Sequence, residues 1–230
     1  MNLSDFSLLT FDCYGTMIDW ESGIFSALRP ILAAHQKTMT DVALLEMYSE
    51  LQLAAEEQQY MNYWHVLESV VGSFGRRLGF TPSQAEVRSL PESVRTWQPF
   101  PDTVAALQKL KSRHRLAVIS NIDDDLFALT AAKLEVPFNH VITAQQAGCY
   151  KPCSRIFRLA QERTGVAPAK WLHVGQSIYH DVIPAKSMGV ATVWVNRPSP
   201  RAGAGATRVA IAKPDLEVSS LAEVCALAEN

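Results

Sequence analysis

Four apolar runs in this chain end on side chains able to do chemistry. Asp12 closes "SLLTFD", Ser120 and Asn121 close "RLAVISN", Lys151 stands shortly after "HVITA", and Gln176, Ser177 and Asp181 follow "WLHVG". Two carboxylates, a lysine and a set of hydroxyl and amide groups are the residue types of nucleophilic and acid–base chemistry. They lie far apart in sequence, so they form one site only if the fold brings the four run ends together.

The runs themselves predict such a fold. Each is short, apolar, rich in β-branched residues and bounded by polar or glycine-containing turns, as buried strands are; a fifth, "ATVWV", ends at Val195. Helical stretches separate the last four. "TVAALQKLKSRH" places Leu107 and Leu110 on one face, "SRIFRLAQERTG" stops at Gly165 as a C-terminal cap, and "DVIPAKSMG" tolerates Pro184 if its helix begins near Asp181. Strands alternating with helices predict right-handed crossovers and an α/β, doubly wound (Rossmann-like) domain around a parallel sheet. All carboxyl ends of a parallel sheet share one edge, and that edge is where open α/β sheets bind ligands.

Between Asp19 and Trp97 the alternation gives way to helical pattern throughout. Thr40 precedes the long amphipathic stretch "DVALLEMYSELQLAAEEQQYM", and "TPSQ" offers Thr81 as an N-cap, Pro82 at the first helical position and Gln84 as a capping-box glutamine. The division expected is an α/β core of residues 1–18 and 98–230 with a helical cap of residues 19–97 inserted after the first strand. A cap there would exclude water from the sheet's carboxyl edge. The stretch "RPSPRAGAGATR" reads as a flexible-looking loop.

Composition narrows the partners. With 21 Lys and Arg against 23 Asp and Glu, the net charge is −2, which marks no surface for nucleic acid or for an anionic membrane. The start "MNLSDFSLLTFD" lacks a basic n-region, and no uncharged run approaches the roughly 20 residues that cross a bilayer, so a soluble cytoplasmic protein is expected. The four cysteines, Cys13, Cys149, Cys153 and Cys225, are too few and scattered for a disulfide framework and are read as reduced. Cys149 and Cys153 have no second Cys/His pair at zinc-like spacing. Cys13 adjoins Asp12, but side chains alternate along an extended segment, so it is expected to turn away and pack as a small apolar group.

"FDCYGT", "ISN", "YKP" and "VGQSIYHD", in that order, resemble the four motifs of the haloacid dehalogenase superfamily, and "FDCYGTMIDW" is most similar to its type II 2-haloacid dehalogenases. The resemblance implies that Asp12 is the nucleophile. Its carboxylate, already ionised at neutral pH, needs no general base. Lys151 would be its counter-ion, Asp181 would hold Lys151 or position a hydrolytic water, and Ser120 and Thr16 would help orient Asp12. Ser120, Asn121 and nearby N–H groups would hold a substrate carboxylate, with Gln176 and Ser177 beside them. Tyr14 and Trp20, and less directly Trp97 and Phe157, would wall the pocket; each is also an ordinary candidate for core packing. The substrate implied is a small carboxylic acid substituted at C2, turned over through an aspartyl ester without metal or organic cofactor, by a homodimer.

Magnesium-dependent phosphatases form the majority of this superfamily. They carry an aspartate two residues after the nucleophile, where this chain has Tyr14, and a metal-binding aspartate after the glycine of the fourth motif, where it has Gln176. The chain also departs from the dehalogenases. "EMYSELQLAAEEQQ" offers no arginine to bind a halide, Phe157 replaces a tyrosine, and Gln176 and Ile178 replace a serine and an asparagine. Losing a cation and donors disfavours a developing anion. A protonated ring nitrogen, as in L-azetidine-2-carboxylate, leaves as a neutral amine and needs no such cation, and Tyr14, Trp20 and the acidic run Asp123 to Asp125 could surround it. A non-catalytic binding module is the remaining reading, since a fold guarantees no activity.

Overall fold

The computed structural model describes residues 1–198 and 205–227. Of the loop Arg197–Arg208, residues 199–204 thus lie outside the described residues. Six parallel strands form one sheet: β1 (Leu8–Phe11), β2 (Arg115–Ser120), β3 (His140–Thr143), β4 (Trp171–Gly175), β5 (Ala191–Val195) and β6 (Leu216–Val218), in the spatial order β3-β2-β1-β4-β5-β6. The first five coincide with the apolar runs. β6 is a three-residue edge strand whose middle residue, Glu217, is exposed, so it lacks the apolar run that marks a buried strand.

Ten α-helices accompany these strands among the described residues. They are α1 (Trp20–Ala34), α2 (Asp41–Glu56), α3 (Tyr63–Leu78), α4 (Gln84–Ser93), α5 (Thr103–Lys111), α6 (Asp124–Leu134), α7 (Ala144–Ala147), α8 (Ser154–Thr164), α9 (Ile183–Ser187) and α10 (Leu221–Ala226). Helices α1 to α4 follow one another without a strand, and the chain enters and leaves this block through one narrow neck, where Asp19 N–H donates to Gln98 C=O at 2.9 Å. Local chemistry sets the ends. Thr40 Oγ1 accepts from Ala43 N–H at 3.2 Å to start α2, and Gly165, at φ +66°, closes α8 in the left-handed region. Two expectations are corrected here. The cap of α4 is Ser83, which exchanges hydrogen bonds with Glu86 in a capping box, so Thr81 and Gln84 do not have those roles. The helix expected to begin near Asp181 begins earlier, as a π-helical turn over Ile178–Val182 that runs directly into α9, with Pro184 in the first turn of α9.

Both faces of the sheet are covered, and side-chain alternation divides the core in two. Leu9 and Phe11 join the large cluster that includes Leu28, Tyr48, Leu67 and Phe74 of the helical block; Leu8, Ala117, Ile119 and Trp171 join Ile156 and Phe157 of α8. Cys13 is fully buried in the first cluster, as alternation requires, and burial pushes its thiol up. The chain runs from β1 outward to β3, then returns beside β1 with β4 and proceeds the other way. The crevice where that direction reverses lies at the carboxyl ends of β1 and β4.

Candidate active site

Asp12 is the first residue beyond β1. Its N–H donates to Val174 C=O (2.9 Å), extending the β1–β4 pairing, and the chain then turns through Gly15, whose φ of +91° only glycine adopts without strain. A Cβ on Gly15 would also stand 3.1 Å from Gln176 Oε1 and from Trp20 Nε1. Both oxygens of Asp12 are engaged: Lys151 Nζ donates to Oδ1 (2.8 Å), and Thr16 Oγ1 donates to Oδ2 (2.7 Å) while accepting Gln176 N–H (2.8 Å).

Lys151 is 2% exposed and uses all three of its donors, on Asp12 Oδ1, Asp181 Oδ1 (2.7 Å) and Ile119 C=O (3.0 Å). Burial works against its charge, but the two carboxylates outweigh burial and hold the ammonium above the ordinary lysine range. Burial tends to raise Asp181 as well; Lys151, then His173, reverse this and hold it below the usual carboxylate range. Asp12 moves the other way. Burial pulls it above its ordinary value against the opposing pull of Lys151, as befits a carboxylate stripped of water beside a lysine already shared with Asp181. Asp181 reaches this position by folding back over Gly175, where any Cβ would lie 2.5 Å from its Cγ.

These groups border a small cavity of about 40 Å³, lined by Asp12, Tyr14, Ser120, Asn121, Lys151, Gln176, Ser177 and Asp181 from the sheet edge. Trp20, Gln52 and Tyr63 line it from the helical block, with His180 and Thr207 completing the wall. An open groove of about 510 Å³ adjoins it, sharing Trp20, Gln176 and Thr207. The four run ends therefore meet in space. Three buried atoms on the cavity-lining residues have no hydrogen-bond partner: Gln52 Oε1, Ser120 Oγ and His180 Nε2. Native proteins leave few such atoms, and clustered around the Asp12 carboxylate they mark where a ligand's polar groups would dock.

Several sequence expectations change in detail. Thr16 is fully buried and touches Asp12 and Gln176, so it steadies the carboxylate and does not line the cavity. The Asn121 amide clamps the main chain of Lys151, accepting its N–H (2.7 Å) and donating to its C=O (3.3 Å). Ser177 Oγ accepts His180 N–H (2.9 Å) and bonds His180 Nδ1 (3.2 Å), while Gln176 Oε1 accepts from Thr207 (2.9 Å). Tyr14 lines the cavity with its hydroxyl on Thr130 (2.7 Å), and Trp20 packs edge-on against Tyr48. Trp97 packs behind Tyr14, and Phe157 is fully buried under the sheet against Trp171 and His173, so neither lines the cavity. Nor does the acidic run. Asp123 accepts Trp64 N–H (3.0 Å), Asp124 accepts from Thr143 and Gln146 (2.7 Å each), and Asp125 accepts Leu126 N–H (2.8 Å). Cys149 and Cys153 are free thiols, the second exposed.

Sequence reasoning missed Gln52, Tyr63, His180, Thr207 and the buried His173. Gln52 left a signal, as the one amide on the buried stripe Leu44, Leu45, Tyr48, Gln52, Ala55 of α2. Its Nε2 donates to Glu56 Oε1 (2.7 Å), which turns its oxygen toward the cavity; burial pushes the Glu56 carboxyl up to about 8.

The donor set does not suit magnesium. Lys151 is shared between the two carboxylates at the site, Tyr14 and Gln176 supply no others, and among the described residues no three His, Cys, Asp or Glu side chains group as metal ligands.

A family model for haloacid dehalogenase-like hydrolases matches residues 6–189. The chain belongs to that family. The (S)-2-haloacid dehalogenase 4A of Burkholderia cepacia is 27% identical to it over 195 residues, covering 81% of each chain. Among solved structures, the L-2-haloacid dehalogenase from Xanthobacter autotrophicus with chloropropionic acid covalently bound shares its fold at a TM-score of 0.81 and 21% identity, covering 97% of this chain and 98% of that one. A family protein from Bacillus subtilis bound to magnesium shares the fold as well, at a TM-score of 0.79 and 18% identity over 98% of this chain and 99% of that one. The protein is thus a haloacid dehalogenase-like hydrolase on a Rossmann-like α/β fold. No helix among the described residues is long and apolar enough to cross a membrane.

Proposed function

We propose that the chain displaces a group from C2 of a small carboxylic acid through an ester on Asp12, with no metal or organic cofactor. The observation that carries this is the carboxylate held by Lys151 and Thr16 at the wall of a cavity whose neighbour two residues on is Tyr14, which cannot act as a phosphatase's second aspartate. An Asp12 oxygen forms a bond to C2 as the leaving group departs with the C2 bonding pair, and in-line geometry supplies much of the acceleration. Water then attacks Asp12 Cγ and releases the 2-hydroxy acid. Ser120 and main-chain N–H groups near Asn121 hold the substrate carboxylate, and Asp181 holds Lys151 and faces the water. Residues 19–97 act as a cap that dries the site over a core of residues 1–18 and 98–230. The relatives' haloacids are one substrate class. A second reading, departure of a protonated ring nitrogen from a substrate such as L-azetidine-2-carboxylate, is favoured by Gln52 Oε1, an acceptor without a partner on the helical side of the cavity. A cytoplasmic homodimer completes the reading.

Purified protein incubated with 2-haloacids or azetidine-2-carboxylate is assayed for halide and for 4-amino-2-hydroxybutyrate, with mass spectrometry of the Asp12 peptide. The expected outcome is a substrate-derived mass on Asp12, EDTA-insensitive turnover, and no turnover by a folded Asp12→Asn variant. Full activity in that variant would refute the mechanism, and EDTA-sensitive hydrolysis of phosphate esters would establish the phosphatase instead.

A further inference from the structure

Beneath the cavity, a line of polar side chains crosses the apolar layer between the sheet and α8. Alternation puts Thr10 of β1 and Trp171 and His173 of β4 on the same face as Leu8, and the strand register sets Thr10 beside His173. None is more than 1% exposed. Trp171 Nε1 donates to Thr10 Oγ1 (2.6 Å), Thr10 Oγ1 lies 2.8 Å from His173 Nδ1, and His173 Nε2 lies 3.1 Å from Asp181 Oδ1.

The proton positions follow from the chemistry of the groups. An indole N–H only donates, so Thr10 Oγ1 accepts it, and the hydroxyl's own proton has His173 Nδ1 as its acceptor. The Asp181 carboxylate opposite Nε2 only accepts, so in the neutral ring the single proton sits on Nε2 and Nδ1 accepts from Thr10. The ring's N–H is on Nε2 and points at Asp181, and the Phe157 ring lies edge-on to the imidazole at 5.0 Å. Asp181 Oδ1 accepts from both Lys151 and His173, while Oδ2 accepts Ser177 N–H (3.2 Å).

We infer that His173 is a positioning residue, held as the Nε2–H tautomer between Asp181 and Thr10, and that it fixes the Asp181 carboxylate in the orientation needed for the second half of the reaction. The inference rests on the ester mechanism proposed above. In that half, water oxygen bonds to Asp12 Cγ as its proton passes to Asp181. The bond from Cγ to the substrate oxygen then breaks, and the proton returns to that oxygen to give the hydroxy acid. The first half, attack on C2, is oriented by Lys151 and Thr16 and makes no use of His173. Removing His173 should therefore separate the two halves.

Two measurements test this. With ¹⁵N-histidine-labelled protein at pH 7, the His173 signals, assigned by their loss in His173→Gln, should report a protonated Nε2 and a bare Nδ1. Thr10→Ser should preserve that pattern, and Thr10→Val should leave the proton on Nε2 while shifting the Nδ1 signal as that nitrogen loses its hydrogen-bond donor. Wild-type protein protonated at Nδ1 would overturn the inference, with or without a known substrate. Single-turnover kinetics with 2-chloropropionate and azetidine-2-carboxylate form the second arm. His173→Phe should slow ester hydrolysis about 10–100-fold, the range for losing a hydrogen bond to a charged group, while ester formation stays within about twofold and the ester accumulates on Asp12. His173→Gln, whose amide can still donate to Asp181, should recover most of the rate. Equal slowing of both steps, or no recovery by glutamine, would overturn it. Absence of any ester on the wild type would refute the parent mechanism, and the tautomer measurement would then decide the inference alone.

Discussion

Replacing Lys151 by methionine keeps most of the buried volume and removes one charge. Asp12 Oδ1 and Asp181 Oδ1 lie 2.8 and 2.7 Å from the missing nitrogen, so they stand within about 5.5 Å of each other, and two carboxylates at that distance repel by about 3 kcal/mol at an effective dielectric of 20. Breaking a buried pair costs about 3–5 kcal/mol in general. Protonation caps the cost. Protonating an aspartate of ordinary value near 3.8 at pH 7 takes about 4 kcal/mol, and each pH unit downward makes it about 1.4 kcal/mol easier. The sign is therefore set: the variant's carboxyl pKa is raised on folding, the variant takes up a proton when it folds, and its deficit relative to wild type shrinks on acidification. Urea denaturation followed by circular dichroism should show a deficit of about 4 kcal/mol at pH 7, falling to about 2 at pH 5.5. Adding Asp12→Asn should recover much of the deficit at pH 7 and flatten its pH dependence. A deficit that is constant or grows as pH falls would refute the buried-triad account.

Gly175→Ala places a methyl 2.5 Å from Asp181 Cγ; it should cost about 1–3 kcal/mol in denaturant stability and cut kcat far more than KM, and wild-type kinetics would show that Asp181 does not need its position. Burial lowers His180 to about 4 from its ordinary 6.5, so the folded state resists a proton the unfolded chain accepts. Stability should fall by an amount on the order of 3 kcal/mol as pH drops from about 6.5 to 4, and His180→Gln should remove that slope in denaturation curves.

Most of the sheet was legible because β1, β2 and β4 are almost wholly buried and β3 and β5 largely so, and all five read as continuous apolar runs. β6 was not, because an edge strand of three residues with one exposed glutamate has too little buried surface to leave a pattern. Asp12, Lys151 and Asp181 were legible because each follows a strand. On the helical side of the cavity Trp20 was named from the sequence, whereas Gln52 left only the faint signal of a lone glutamine on an apolar stripe. His173 was hidden for a different reason: a histidine inside "WLHVG" reads as one polar residue in a strand, and its meaning depends on Thr10, which is 163 residues away. Of the aromatics, Tyr14 and Trp20 line the cavity while Trp97 and Phe157 pack elsewhere, a split the sequence could not show because burial under the sheet and burial in a pocket wall favour the same side chains. The acidic run misled because the Asp123 and Asp125 carboxylates accept main-chain N–H groups at helix starts.

The grip on Asp12 from both sides has an isotopic consequence. With Lys151 on one oxygen and Thr16 on the other, the carboxylate cannot turn over without breaking both bonds, so its two oxygens remain distinct through a catalytic cycle. In heavy-oxygen water, the first product molecule would carry away a light oxygen from the protein. The solvent oxygen that replaces it would occupy the attacking position and leave with the second product. Every product after the first would then be fully labelled, whereas a freely rotating carboxylate would spread the remaining light oxygen over several turnovers.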